Sequence, residues 1–76
     1  MVKAFFKIDT AVGMEVELVE AIRDVDTVVD AHVIAGDFDI MTELEAETLR
    51  ELHATLTREI RSRDGVGTTR CYVCLD

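Results

Sequence analysis

The spacing of hydrophobic and polar positions changes along the chain, and the changes predict six elements. In residues 2–9, VKAFFKID, Ala4, Phe6 and Ile8 fall on one side and Phe5, Lys7 and Asp9 on the other. That period of two marks a strand. Gly13 in TAVG punctuates it. Over 14–25 the spacing turns helical. Met14, Leu18, Ile22 and Val25 recur three or four apart with Ala21 beside them, while Glu15, Glu17, Glu20 and Asp24 take the remaining positions. Glu15 and Glu17 stand where the helix dipole favours negative charge. Residues 27–35, TVVDAHVIA, are β-branched and read as a second strand. Residues 38–46, FDIMTELEA, alternate as a third, with Phe38, Ile40, Thr42 and Leu44 against Asp39, Met41, Glu43 and Glu45. Between them Gly36-Asp37 predicts a two-residue hairpin, in which glycine supplies the positive φ of a tight turn. A stripe of Leu49, Leu52, His53, Leu56 and Ile60 predicts a helix over 47–63, with Glu47 and Glu51 early and Arg58, Arg61 and Arg63 late. Two glycines in DGVGTT end it, and 69–75, TRCYVCL, is the last strand.

The order β-α-β-β-α-β predicts an α+β, ferredoxin-like fold: a four-stranded antiparallel sheet with both helices on one face. The helix-facing side is then Ala4, Phe6, Ile8, Val33, Ile40, Leu44, Val73 and Leu75, and the other side should be wet. Instead it carries Phe5, Ile34, Met41, Tyr72 and Cys74 among Lys7, His32 and Arg70. A half-apolar open face marks an interaction site. A second copy packing sheet to sheet is the simplest partner. Size points the same way. A chain of 76 residues is one domain, 1–76, and one this short buries only about 60% of its unfolded surface. Association supplies the missing burial.

Charge narrows the partners. There are 16 acids against 8 Lys plus Arg, a net charge of −8, and only Lys3 and Lys7 are lysines. Such a surface repels nucleic-acid phosphates and anionic membranes. Dispersed acids with few lysines suit a high-salt cytoplasm, where screening removes self-repulsion, and predict a halophilic archaeal source. No signal peptide and no apolar run of about 20 residues is visible, so the expected compartment is the cytoplasm. Cys71 and Cys74 have metal-like spacing, but residues three apart on a strand point to opposite faces. Cys71 is expected in the core and Cys74 on the open face, with no metal and no cofactor. His53 and His32 read as packing or interface residues.

The stretch AHVIAGDFDIMTELEA, a helix, and then RDGVGTTRCYVCLD resemble the effector-binding domain of the Lrp/AsnC family of feast/famine regulators over essentially the whole chain. The pattern is a strand, Gly36-Asp37-Phe38-Asp39, a strand, a helix, Gly65-Val66-Gly67-Thr68-Thr69 and a closing strand. The family's regulators carry an N-terminal helix-turn-helix domain, and this sequence begins at the first strand of the effector domain. The expectation is a stand-alone version without direct DNA binding. The resemblance implies a dimeric α/β barrel, rings of dimers, and an amino acid or related small-molecule effector between dimers. That effector would lie near the hairpin and the start of the last strand, and mixed assemblies with full-length regulators are a further partner expectation. At those positions Asp37 or Asp39 would accept an ammonium. Thr68 and Thr69 hydroxyls and backbone N–H groups around Gly36 and Gly67 would hold a carboxylate. Phe38 is expected to pack inward with its strand neighbours.

Two other readings accompany the sensor. One is a small dimeric α/β-barrel enzyme, oxygenase- or isomerase-like, using His32, Tyr72 and Arg70 in a cleft within each protomer. It rests on fold analogy alone, and the expectation here is no enzyme. The other is an assembly module that binds no ligand.

Overall fold

The computed structural model describes residues 1–76. Its elements are β1 (Val2–Thr10), α1 (Glu15–Arg23), β2 (Val28–Val33), β3 (Ile40–Ala46), α2 (Leu49–Thr55), which runs on into a π-helical turn (Leu56–Ile60), and β4 (Val66–Val73). The strands form one sheet in the order β2-β3-β1-β4. Every neighbouring pair is antiparallel. β1 and β2 are therefore parallel, and α1 carries the chain across β3 between them. This is the ferredoxin-like arrangement read from the sequence.

The register explains the core. Ala4, Phe6 and Ile8 stand opposite Leu44, Thr42 and Ile40 on β3, and all six are fully buried. Against them pack Leu18, Val19 and Ile22 from α1 and Leu52, Leu56 and Ile60 from α2 and its π turn. Thr42 is the one buried polar residue. Its hydroxyl donates to the Asp30 carbonyl at 2.9 Å, so the burial of Thr42 leaves its own donor paired. Thr48 caps α2: its hydroxyl accepts from the Glu51 N–H at 3.1 Å. Glu47 therefore lies outside the helix it was assigned to. At the far end the ladder widens, with Arg61 N donating to the Leu56 carbonyl at 2.8 Å, the i to i−5 bond of a π turn.

Several sequence expectations change. β4 starts at Val66, three residues early, because Val66 pairs with Thr10 through a bulge that follows the Thr69–Ile8 pair. The helix-facing side is not all covered: Val33 and Val73 are 44% and 39% exposed and Leu75 is fully exposed. Cys71 stands opposite the buried Phe6 yet is exposed. The cause is shared, since these residues lie on the outer strands β2 and β4 or beyond Val73, where no core side chain closes over them.

The other face is as the alternation predicts. Phe5 stands opposite Tyr72 and Glu43, Lys7 opposite Arg70 and Met41, and His32 opposite Met41. Phe5 and Tyr72 are 40% and 52% exposed.

Candidate functional site

Two loops meet the central strand at one end of the sheet, and both belong to the motif singled out in the sequence. β1 lies between β3 and β4. Its last residues, Ile8 to Thr10, are therefore flanked by the β2–β3 connection on one side and by the start of β4 on the other.

The β2–β3 connection is longer than the expected two-residue hairpin. Val33 and Ile40 are the last paired residues, and Ile34 N donates to the Asp39 carbonyl at 2.8 Å. Residues 35–38 form the turn. Gly36 does not have a positive φ, and nothing lies near its open side, so the tight-turn role assigned to it is not the one it has. What fixes the loop is Asp39. Its N–H donates to the Ile8 carbonyl at 3.0 Å. Its carboxylate accepts from the Thr10 N–H at 2.8 Å and the Thr10 hydroxyl at 3.2 Å. Asp39 thus pins the turn to the end of β1.

A second carboxyl shares this position. Donation from the Thr10 N–H, then the hydrogen bond with Asp9, holds Asp39 below the usual carboxylate range. The hydrogen bond to Asp39, with some burial and the repulsion of its charge, pushes Asp9 up. Asp39 is the ionised partner and Asp9 the group that takes up a proton first.

Asp37 points elsewhere. It is largely exposed and lies 3.4 Å from Lys7 Nζ. The same ammonium sits 4.9 Å from the Phe38 ring centre and 5.6 Å from that of Tyr72, within cation–π range. Phe38 is therefore not packed inward. It lies half-buried beside Lys7 on the open-face side, because it belongs to the turn and not to β3.

On the β4 side, a Cβ added to Gly67 would meet the Asp9 carbonyl oxygen at 3.3 Å. A side chain there would crowd the strand end. Thr68 is exposed. Thr69 is half-buried, and its hydroxyl accepts from Arg61 Nε at 3.1 Å. The predicted residues therefore share one end of the sheet but not one surface. Gly36, Asp37 and Asp39 lie on one side of the β1 terminus and Gly67, Thr68 and Thr69 on the other. Asp9 and Thr10 join them, and the sequence reading missed both. The signal was available: a central strand must end between its neighbours' loops, so its last polar residues face both.

The largest depressions of the protomer lie elsewhere. One, of about 460 Å³, lies between the end of α1 and the second helix, and half of its lining residues are acids: Asp24, Asp26, Glu51 and Glu59. Another lies between α2 and β4. His32 on β2 is separated from Arg70 and Tyr72 on β4 by two intervening strands, roughly 14 Å at about 4.8 Å per strand. They form no common cleft within a protomer.

Known proteins agree with this fold in detail. The family described as Lrp/AsnC ligand binding domain matches residues 3–76. The solved structure of FFRP-DM1 is 31% identical, with a TM-score of 0.95 over 99% of this chain and 100% of that one. The hypothetical protein PHS023 from Pyrococcus horikoshii is 30% identical, with a TM-score of 0.94 over 100% of this chain and 92% of the other. The transcriptional regulator NMB0573 from Neisseria meningitidis, solved as a complex with L-Met, has a TM-score of 0.88 at 14% identity, and 99% of this chain spans 50% of that one. That last likeness is one of fold. No curated protein matches.

Proposed function

This chain belongs to the Lrp/AsnC ligand-binding domain family, and from that premise we propose that residues 1–76 are a single amino-acid-responsive assembly domain of transcription-regulator type. In this reading two copies close sheet to sheet into an α/β barrel, and dimers associate into a ring. A free amino acid or close relative is held where dimers meet, at the end of β1. The domain senses and assembles and performs no reaction, and its compartment is the cytoplasm, in a halophilic archaeon.

The observation that carries this reading is the convergence of both halves of the motif on Asp9 and Thr10. Asp39 is spent on the Thr10 bonds, which makes it the support of the turn. Asp37 is exposed and has only a surface ion pair, worth little in water, so it is the acceptor for a ligand ammonium. Exposed Thr68 and the N–H groups around Gly36 and Gly67 supply donors for a carboxylate. Thr69 contributes its hydroxyl if Arg61 releases it. The L-Met bound to the Neisseria regulator supports this class of ligand. The open face supports the dimer, since exposed Phe5 and Tyr72 lie side by side on it.

A ligand held between dimers stabilises whichever assembly completes its site. Titration calorimetry of the protein with each of the twenty amino acids tests this. The expected result is saturable heat with at least one of them, weakened by Asp37→Asn and by Thr68→Val. No heat from any of the twenty, with the protein assembled as a ring of dimers, would overturn the effector reading.

A further inference from the structure

Between α2 with its π turn and strand β4 lies an open groove of about 590 Å³, within the ~300–1,000 Å³ of small-molecule sites. It shares no lining residue with the hairpin and β4-start site proposed above, and meets it only through the hydrogen bond from Arg61 Nε to the Thr69 hydroxyl. Its floor is apolar: Leu49, Leu52, Leu56 and Val73 line it, and Leu49 and Val73 keep 56% and 39% of their surface exposed. Its polar members are basic, namely Arg50, His53 and Arg61.

That composition runs against the chain around it. In a protein with 16 acids and 8 Lys plus Arg, the groove is lined by two arginines and no carboxylate. The ion pairs of the molecule involve Lys3, Lys7 and His32, so neither arginine is neutralised. Arg61 is held in place through its Nε bond to Thr69. It also acts on the Cys71 thiol, where partial shielding of the sulfur raises the pKa and the Arg61 charge opposes the rise. The guanidinium therefore borders the groove.

An unpaired guanidinium beside an apolar floor matches a carboxylate that carries a hydrocarbon tail. A free amino acid matches less well, because its ammonium would find two arginines and no acceptor. We propose that this groove is a second small-molecule site, which takes an apolar carboxylate lacking an α-amino group. The tail lies along Leu49, Leu52, Leu56 and Val73 and the carboxylate on Arg50 and Arg61. Occupants of the two sites are then chemically sorted: zwitterions at the acid-bearing end of β1, and amine-free acids at the arginine groove.

Sodium 4-methylpentanoate and leucine share a carbon skeleton and differ in the ammonium, which makes them the decisive pair. The readout is amide chemical shifts of the full chain under titration. With 4-methylpentanoate, saturable shifts are expected at Leu49, His53, Cys71 and Val73, and with leucine or pentylamine none at these positions. Arg50→Gln breaks no hydrogen bond of the fold. It should weaken 4-methylpentanoate binding by about tenfold or more, the loss of one charge-assisted hydrogen bond. The proposal is overturned by absence of saturable shifts in the groove, by equal shifts with leucine, or by Arg50→Gln binding as tightly as the parent. It is also overturned if the groove amides move with protein concentration and not with the probe, since a second copy would then fill the groove.

Discussion

Phe5 and Phe6 are neighbours in sequence and stand on opposite faces of the same strand. Phe6 is fully buried and Phe5 is 40% exposed. On the face of Phe6, each register pair of β1 and β3 is closed over by leucine, isoleucine or valine from the helices. On the face of Phe5, β1 presents Phe5 beside Tyr72 of β4, Lys7 between the rings of Phe38 and Tyr72, and Lys3 and Phe5 opposite Glu45 and Glu43 of β3, with nothing above them. Over β1 and β3 the covered face is complete within one chain. The open face has the apolar content of a half-finished core, and in the reading proposed above it is where a second copy packs. The comparison separates two kinds of information in one alternating pattern: one register specifies the fold, and the other specifies what the fold meets.

The largest effect should come from exchanging the two faces at that one step. Phe6→Ala is expected to cost about 3–5 kcal/mol, the transfer and cavity loss of a buried phenylalanine, read from urea unfolding. Phe5→Ala should change the stability of the isolated fold by no more than about 1 kcal/mol. Phe5→Asp should leave near-native circular dichroism but reduce the assembly to monomers in size-exclusion chromatography. If Phe5→Asp keeps the parent's size, the open face is not the dimer face.

A second contrast lies between two glycines. Gly65 has φ +90°, and a Cβ there would sit 2.6 Å from Met14 Sδ. Gly36 has neither constraint. Gly65→Ala should destabilise by roughly 1–3 kcal/mol through backbone strain and displacement of Met14. Gly36→Ala should fall within about 0.5 kcal/mol, and any larger loss of ligand affinity in that variant would mark a backbone contact at the turn.

The smaller effects belong to the paired acids. The folded value of Asp39 lies below its ordinary 3.8. Its contribution to stability is therefore present above that ordinary value and lost as pH falls through the folded one. Asp9 has the opposite sign. Its folded value lies above 3.8, so its ionisation opposes the folded state, and acidification relieves this. Asp39→Asn should lower Tm at neutral pH, with the difference closing in strong acid. Asp9→Asn should raise Tm slightly at neutral pH. Parallel shifts for the two variants across the acid range would contradict the assignment of the proton.

How far the sequence could be read follows the same division. Alternation in residues 2–9 and 38–46 placed Phe6, Ile8, Ile40 and Leu44 in the core because a period of two is a local property of a strand. Element order then gave the ferredoxin-like topology, and the open-face residues followed as the complement. What local pattern could not give was how far the helices reach. Val73 and Cys71 have core parity on β4, but this strand lies at the sheet edge beyond the helical cover, so both stay exposed. Nor could it give the shape of the turn. Asp39 alternates correctly for β3, yet its side chain is captured by Thr10 from a strand 29 residues earlier. That capture leaves Phe38 in the loop beside Lys7. The candidate site was legible as a pair of motifs. The strand end that joins them, Asp9 and Thr10, was visible only once register was known.

The most direct test of the central claim is light scattering coupled to size exclusion in high salt, with and without a pool of amino acids. The account predicts a multiple of the dimer whose size or thermal stability responds to the pool, and fractionation of the pool would then identify the effector. A plain monomer, or an assembly indifferent to every amino acid, would contradict it.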